Sequence, residues 1–429
     1  MALKLYFLIS LEHIKRKKVI LLGGLLSLVI LFFLASKLNW FNFQEYSISE
    51  GVIGTYQEHD IPDIVTNLIS QPLVRIDEST RPIPGLAEKW EVNSDATVFK
   101  FKLKENLKWS DNTQLKASDL EFNIPDIEVV YPSDNEIIFK LKDSYSPFPT
   151  LLTKPLFKKG TLLGTGSYQV QSIEKSRVFI TKIKLGTNDK KLPRVIIRFY
   201  PNEKTAKTAF KLGEIQSLMG VNDSKQTQID KNLKTWNKTD YERIVTVIFN
   251  TNDPMLSSKT LRKTLSYSTP KIEDVEQART SISPKSWGFS IPSKEYIDNK
   301  EGAKEALART KETVSLENLK KEIILTTIPQ LEEIGKKIVD SWKNLGLNAK
   351  LRIESGIPQN FQALLITQVI PQDPDQYHLW HSTKTQTNLS KYSSPRIDKD
   401  LEDGRKTISE EERKASYTDF QKILLEDAP

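Results

Sequence analysis

The 429-residue sequence contains no cysteine, four histidines and three methionines. Without thiols there is no disulfide, no thiolate nucleophile and no Cys-ligated metal centre, and a lipid-modified cysteine anchor is excluded as well. The histidines are His13, His59, His378 and His381. His378 and His381 lie at i, i+3 in a His-Leu-Trp-His run, but no zincin-like carboxylate adjoins them, so a loop rim or structural role is the plainer reading. Two loop histidines do not establish a Ser-His-Asp set, and no carboxylate pair can be assigned among 55 acidic residues. The chain therefore reads as a non-enzyme with no catalytic residue, metal or cofactor.

A strong excess of one charge is also missing. The net charge is +7, but residues 1–18 hold five bases against one acid, a net of +4 that leaves +3 for the rest. Lysines are spread among acids along the chain, the pattern of a solvated surface and not of a phosphate track, so nucleic acid is not an expected partner. Long apolar runs are scarce too, with one exception. Val19–Ala35 is seventeen residues without a charge, extended by Ser36 and by Leu38–Phe41. That is enough to cross a hydrocarbon core of about 30 Å. Lys15-Arg16-Lys17-Lys18 precede it, which places the N-terminus in the cytoplasm and the remainder outside. Leu34-Ala35-Ser36 offers a cleaved signal peptide as the competing reading, but the run is long for one. The expectation is a cytoplasmic basic tail (1–18), a single-pass anchor in the cell membrane (19–40) and an extracytoplasmic body (41–429).

That body has the composition of a globular protein, 38% hydrophobic and 27% charged overall, and a length suited to two or three lobes. Ile61, Ile64, Val65 and Leu68 predict a helix, with Pro62 at its first position. Phe99, Phe101 and Leu103 alternate with lysines, as do Ile137, Phe139 and Leu141, predicting half-exposed strands. Val195–Tyr200 and Ile244–Asn250 read as strands, and 202–210 and 261–267 as helices. Residues 270–300 lack a period and read as a long, mobile surface connection. Ile323–Leu325, a helix face of Leu331, Ile334, Ile338, Trp342 and Leu345, and alternating Leu347–Ile353 form a β-α-β unit with parallel strands. Phe361–Ile370 adds a strand. Ser409–Glu412 is a capping box opening a helix with Tyr417, Phe420, Ile423 and Leu424 inward. Trp109, Trp287, Tyr377, Trp380 and Tyr392 sit in polar, turn-like contexts, where flat rings with polar edges can wall a cleft or plug a local core.

The series from Gly51 to Phe122 resembles the opening signature of the family 5 extracytoplasmic solute-binding proteins, the peptide and nickel receptors of ABC importers. It runs through Leu68-Ile69-Ser70, Pro84–Trp90, Phe99–Leu103, Leu107–Asn112 and Lys116–Phe122, a segment read as a helix start. Gly164-Thr165-Gly166-Ser167-Tyr168 is similar to the family's lobe-crossing turn, with Ser167 in place of proline. As a phosphate loop it is weak, since no Lys-Ser/Thr follows. Phe249-Asn250 with Arg262, Gln372–Tyr377, Ser393–Asp398 and the final Tyr417–Pro429 segment are also similar to family elements.

The resemblance implies an α/β, bilobal fold of the type II periplasmic-binding-protein kind. Its first lobe would span about 45–165, the crossing region 166–250, the second lobe 251–400, and a return helix toward the first lobe 401–429. It implies capture of a peptide or similar small solute between lobes and delivery to an ABC permease with cytoplasmic ATPases. Ligand-binding candidates are Trp109, Asn250, Trp287, Asp373, Asp375, Tyr377 and Trp380, of which Asn250, Asp373 and Asp375 come from the resemblance. Three departures stand against the pattern. Asn123-Ile124-Pro125 stops the chain where relatives continue with a helix, implying a reduced extra subdomain. Ile370 occupies the place of an acid that pairs with a peptide's α-amine. Relatives return to the first lobe after the last element, where this sequence stops, so that lobe is completed differently or the sequence is truncated. The alternative is a membrane-anchored sensory or interaction module that kept the fold and lost import.

Overall fold

The computed structural model describes residues 47–221, 234–292 and 294–429. The basic tail and the anchor expected over 19–40 lie outside them. No helix of the described residues is long and apolar enough to cross a membrane.

The described part opens with β1 (Ser47–Ile53) and helix α1 (Asp63–Ile69). Six strands follow: β2 (Val74–Ile76), β3 (Pro82–Pro84), β4 (Ala87–Val92), β5 (Val98–Leu103), β6 (Ile127–Ser133) and β7 (Glu136–Leu141). Next come β8 (Gln169–Ser176), β9 (Phe179–Gly186), β10 (Arg194–Tyr200), α2 (Glu203–Lys211) and β11 (Ser217–Met219). Then β12 (Arg243–Phe249), α3 (Lys259–Tyr267), α4 (Lys300–Thr313), α5 (Leu316–Leu319), β13 (Ile323–Thr327) and α6 (Glu332–Asn344) are reached. The chain closes through β14 (Ala349–Ile353), β15 (Ala363–Val369), α7 (Tyr377–Trp380), α8 (Pro395–Lys406) and α9 (Glu410–Asp427).

Contacts divide the described residues into two units, one from 47–68 and 167–221, the other from Ile69–Gly166 and Lys234–Pro429. This differs from the expected lobes: the Gly51–Phe122 series is split after Leu68, and the chain re-enters the first unit at Ser167. The first unit is a five-stranded sheet ordered β11-β1-β10-β9-β8, with β1 parallel to both its neighbours. Parallel pairing needs a crossover, supplied between β10 and β11 by α2, whose N-cap Asn202 accepts the Thr205 N–H at 3.0 Å. A Cβ on Gly51 would lie 2.4 Å from Ile215, so the centre of this sheet has no room for a side chain there.

The second unit contains an antiparallel sheet ordered β4-β5-β7-β6 and a mixed sheet ordered β12-β15-β13-β14. In β5 and β7 the expected alternation holds. Phe99, Phe101 and Phe139 are buried, with Phe101 edge-on to Phe139 at 5.5 Å. Lys100 and Lys102 pair with Glu136 and Glu88 at the surface. In the mixed sheet, β13 and β14 run parallel around α6, as the β-α-β reading requires. Trp342 of α6 is fully buried and donates Nε1–H to the Leu265 carbonyl at 3.2 Å. Gly346 ends that helix at φ 83°, a conformation open to glycine at little cost.

Three readings need correction. Lys116–Phe122 is not the start of a helix but a single 3-10 turn, Ala117–Asp119, after which Leu120 is extended. In α1 the inward positions are Val65 and Ile69, while Ile64 is 46% exposed. The 270–300 connection is no loose surface loop. Thr280, Ile282, Ser283 and Trp287 are buried, and the Trp287 N–H donates to the Ser79 carbonyl at 2.9 Å. It leads into α4, unanticipated although Ala303, Ala306, Leu307 and Thr310 carry a helical period and are buried. Helix α9 buries Tyr417, Phe420 and Leu424 with Trp287, Ile397 and Leu401, and its first residue, Glu410, pairs at 2.8 Å with Arg81, within the span expected of the first lobe. The glycines of the 164–168 turn serve close packing. A Cβ on Gly164 would sit 2.2 Å from the Ile69 carbonyl oxygen, and Gly166 donates its N–H to that oxygen.

Truncating Trp342 to alanine should destabilise the second unit by about 3–5 kcal/mol, the usual cost of emptying so large a core site. Urea unfolding reads this; a loss below about 1 kcal/mol would show that α6 does not anchor the sheet.

Candidate functional site

In the mixed sheet β12 pairs with β15 on one side, and among the described residues no strand pairs its other edge. Beside that edge lies a cavity of about 270 Å³. Every residue from Ile244 to Phe249 borders it, because an unpaired edge is reached from both faces of the strand. Ile248, with Leu364 and Ile366, covers one face of the sheet. Phe249 faces the Trp342 core on the other.

The remaining walls come from three places. Ala278–Ser281 and Tyr296-Ile297 belong to the long connection, Ile370, Gln376, Leu379 and Trp380 to the loop after β15, and Gln421, Leu424 and Leu425 to α9. Polar contacts fix these pieces. Gln376 donates to the Ser281 carbonyl at 2.5 Å and accepts the Trp380 indole N–H at 3.1 Å. Gln421 donates to the Gly288 and Tyr417 carbonyls and accepts from Thr280. The Tyr296 hydroxyl donates to the Leu425 carbonyl at 2.6 Å. The Ser281 hydroxyl is buried without a hydrogen-bond partner. The lining is thus apolar with a few fixed polar groups, the usual make-up of a small-ligand site.

The end of α9 is set by Arg262, a buried guanidinium on α3. It donates to the Leu256 and Ser257 carbonyls on one side and to the Asp427 and Ala428 carbonyls on the other. These are orphan acceptors at a turn and a helix C-terminus, which a cation suits well. Ala428 then adopts φ 47° and directs Pro429 onto β12, where its carbonyl oxygen accepts the Phe249 N–H at 2.7 Å.

The loop after β15 is held by two ion pairs on buried aspartates, one to a buried arginine and one to a half-buried arginine. Asp373 meets Arg413 at 2.6 Å, and Asp375 meets Arg405 at 3.1 Å. Arg413 also lies over the Trp287 ring and Arg405 over Tyr377 and Tyr145. Each aspartate accepts a backbone N–H two residues on, so the Asp-Pro-Asp run is a pair of Asx turns. Burial dominates their chemistry. It pushes the Asp373 carboxyl up, and the Asp375 carboxyl up to about 6, with the arginines offsetting only part of the desolvation.

The seven candidate residues are distributed as follows. Trp380 borders the cavity. Tyr377, one helical turn away, stacks on His381 at 4.0 Å. Asp373 and Asp375 are spent on arginines and turns. Asn250 donates to the Phe361 carbonyl at 3.0 Å and accepts the Asn252 N–H. Trp287 is buried against Tyr417 and Arg413. Trp109 is buried in the β5–β7 core, its indole N–H donating to Asp119 at 3.3 Å. Buried His381 lies 3.3 Å from Glu402 and shares a hydrogen bond with Thr383. Among the described residues no group of three or more His, Cys, Asp or Glu is placed to hold a metal. The α9 contribution was missed, yet Gln421 falls on the inward stripe of Tyr417, Phe420 and Leu424 at helical spacing. A glutamine in such a stripe signals a buried polar network.

The sequence matches the family model of the bacterial extracellular solute-binding proteins, family 5 (middle region), over residues 81–127 and 124–388. The chain belongs to this family. A curated relative, the dipeptide-binding protein of Escherichia coli (strain K12), is 24% identical over 64% of this chain, which spans 63% of that protein's length. The nickel ABC transporter structure from Bacillus halodurans superposes with a TM-score of 0.73 at 18% identity, covering 89% of this chain and 92% of the other. The oligopeptide-binding protein AppA from Bacillus subtilis, in complex with a nonapeptide, gives a TM-score of 0.63 at 20% identity over 89% and 91%. At these identities the structures show a shared mixed α/β fold.

Because Asp375 holds its proton more tightly when folded than at its ordinary value of 3.8, its contribution favours the fold fully below about pH 4. That contribution is lost as pH rises through about 6. The shift corresponds to about 3 kcal/mol. The difference in unfolding free energy between the wild type and Asp375→Asn should therefore move against the wild type by an amount of this order between pH 4 and 7. A pH-independent difference would contradict the raised carboxyl.

Proposed function

We propose that this family 5 protein is the extracytoplasmic substrate-binding component of an ABC importer, capturing a peptide or similar small solute for delivery to a permease driven by cytoplasmic ATPases. Residues 19–40 anchor it to the cell membrane with its N-terminus in the cytoplasm, in place of the lipidated cysteine the sequence cannot supply. It performs no reaction on the solute. The observation that carries this reading is the family match running through the loop from Ile370 to Trp380, which borders the cavity beside β12.

Ile370 sharpens the solute. It is buried and borders the cavity, so an ammonium placed against it would be desolvated without a partner, at a cost of several kcal/mol. The solute therefore does not depend on a free α-amine at that point. The same residue favours, as a second reading, a sensory or interaction module that no longer feeds a permease.

Isothermal titration of the full chain with di- to pentapeptides, each free and N-acetylated, tests the proposal. Binding that changes less than about threefold on acetylation is expected. A hundredfold loss on acetylation would overturn the Ile370 argument, and no binding across the library would overturn the peptide reading. Failure of the peptide-bound chain to stimulate the ATPase of its permease would favour the second reading.

A further inference from the structure

The sheet of the first unit has one end at which the N-terminal chain arrives. Ser47 opens β1 and pairs with Arg194 at the start of β10, and Val195 pairs with Leu185 near the end of β9. The loop 187–193, which joins β9 to β10, therefore lies beside Ser47. Because β10 and β11 both run parallel to β1, the crossover helix α2 must travel back along the sheet. Its last residues, Lys211 and Leu212, come out at the same end. Gln216 ties that return to the start of β1: its backbone N–H donates to the Ser49 carbonyl, and its Oε1 accepts the Ser49 N–H at 2.7 Å.

The side chains gathered there are basic and apolar. Leu212 is 71% exposed and Leu192 is 36% exposed, and each follows a lysine. Lys190, Lys191, Arg194 and Lys211 are exposed beside them, against Asp189 and Glu214. Among the described residues Lys190, Lys191 and Lys211 make no ion pair. Asp189 is partly used within its own turn, where it accepts the Lys191 N–H at 2.9 Å. Exposed leucines next to lysines suit an interface between water and lipid, where the apolar group dips inward and the ammonium reaches a headgroup. The expected anchor brings that interface within reach. From residue 40 to Ser47 the chain can extend at most about 25 Å. So short a tether makes even a weak surface contact effectively intramolecular.

We propose that the 187–193 loop and the end of α2 dock on an anionic lipid bilayer. Leu192 and Leu212 enter the headgroup layer, and Lys190, Lys191 and Lys211 pair with lipid phosphates. This rests on the membrane anchor of the reading above and adds a second contact with the same membrane. Strand β1 then runs away from the bilayer. The β8–β9 turn at Arg177-Val178 lies beyond the far end of the eight-residue β9, roughly 25 Å from the docked end. Val178 is 58% exposed, so it serves as an apolar surface position that the lipid does not reach.

The absence of cysteine permits single labels. Asn188→Cys and Val178→Cys each carry a nitrobenzoxadiazole fluorophore in the full chain, reconstituted into vesicles of phosphatidylcholine alone or mixed in equal parts with phosphatidylglycerol. Emission at 188 should be at least twofold higher in the anionic vesicles than in the neutral ones, and emission at 178 should not change. Adding Leu192→Glu with Leu212→Glu, or Lys190→Glu with Lys191→Glu and Lys211→Glu, should abolish the rise while the chain stays in the vesicles. Equal emission at 188 in the two lipids, with the chain vesicle-bound, would overturn this proposal and leave the anchor standing. A rise at 188 that survives both sets of substitutions would overturn it as well. Failure of the unsubstituted chain to float with vesicles in high salt would sink the anchor reading and this proposal together. If a multiply substituted chain does not fold, the comparison of 188 with 178 still decides.

Discussion

The second unit depends on one buried cation. Arg262 spends its guanidinium on four main-chain carbonyls, two at the turn before α3 and two at the end of α9. Each of those oxygens would otherwise be an orphan acceptor, and leaving several unsatisfied costs about 1–3 kcal/mol apiece. The arginine thereby fixes a helix C-terminus against the start of another helix. It also holds Ala428 in a left-handed conformation and sets Pro429 on the outer edge of β12. The direction of α9, and with it the Gln421, Leu424 and Leu425 wall of the cavity, follows from that contact.

The Asp-Pro-Asp loop is the complementary constraint. Its aspartates lie in a low-dielectric setting where an unpaired carboxylate would be costly, and two arginines from α8 and α9 come to meet them. Such pairs add little net stability over an apolar packing of the same shape, but removing one partner leaves a stranded charge worth about 3–5 kcal/mol. Their role here is geometric. They hold the stretch from Ile370 to Trp380 in one conformation, so that Gln376 and Trp380 are presented to the cavity with their hydrogen bonds already made. Acids that look like ligand contacts in the sequence are therefore supports for the residues that border the cavity.

Regular alternation and helical spacing made most of the framework legible. The Phe99–Leu103 strand, the β13–α6–β14 unit, and the inward face of α9 were all read from period alone. Strand order was not legible, because pairing between β12, β15 and β13 is decided by contacts far apart in sequence. The burial of Trp287 could not be seen either. Its neighbours are polar, and its partners, Arg413 and Tyr417, lie more than a hundred positions away. The same holds for the cavity, whose walls come from segments around 245, 280, 297, 376 and 424. What the family likeness supplied was the place to look, the Ile370–Trp380 loop. What it could not supply was that Asn250, Asp373 and Asp375 use their polar atoms on the chain itself.

The proposed function places a peptide-like solute beside β12 and the Ile370–Trp380 loop. The most direct measurement is a crystal structure of the full chain grown with a bound peptide. The account predicts continuous peptide density along the cavity, in van der Waals contact with Ile370 and Trp380. Peptide density elsewhere on the chain, with the cavity beside β12 left to solvent, would contradict it.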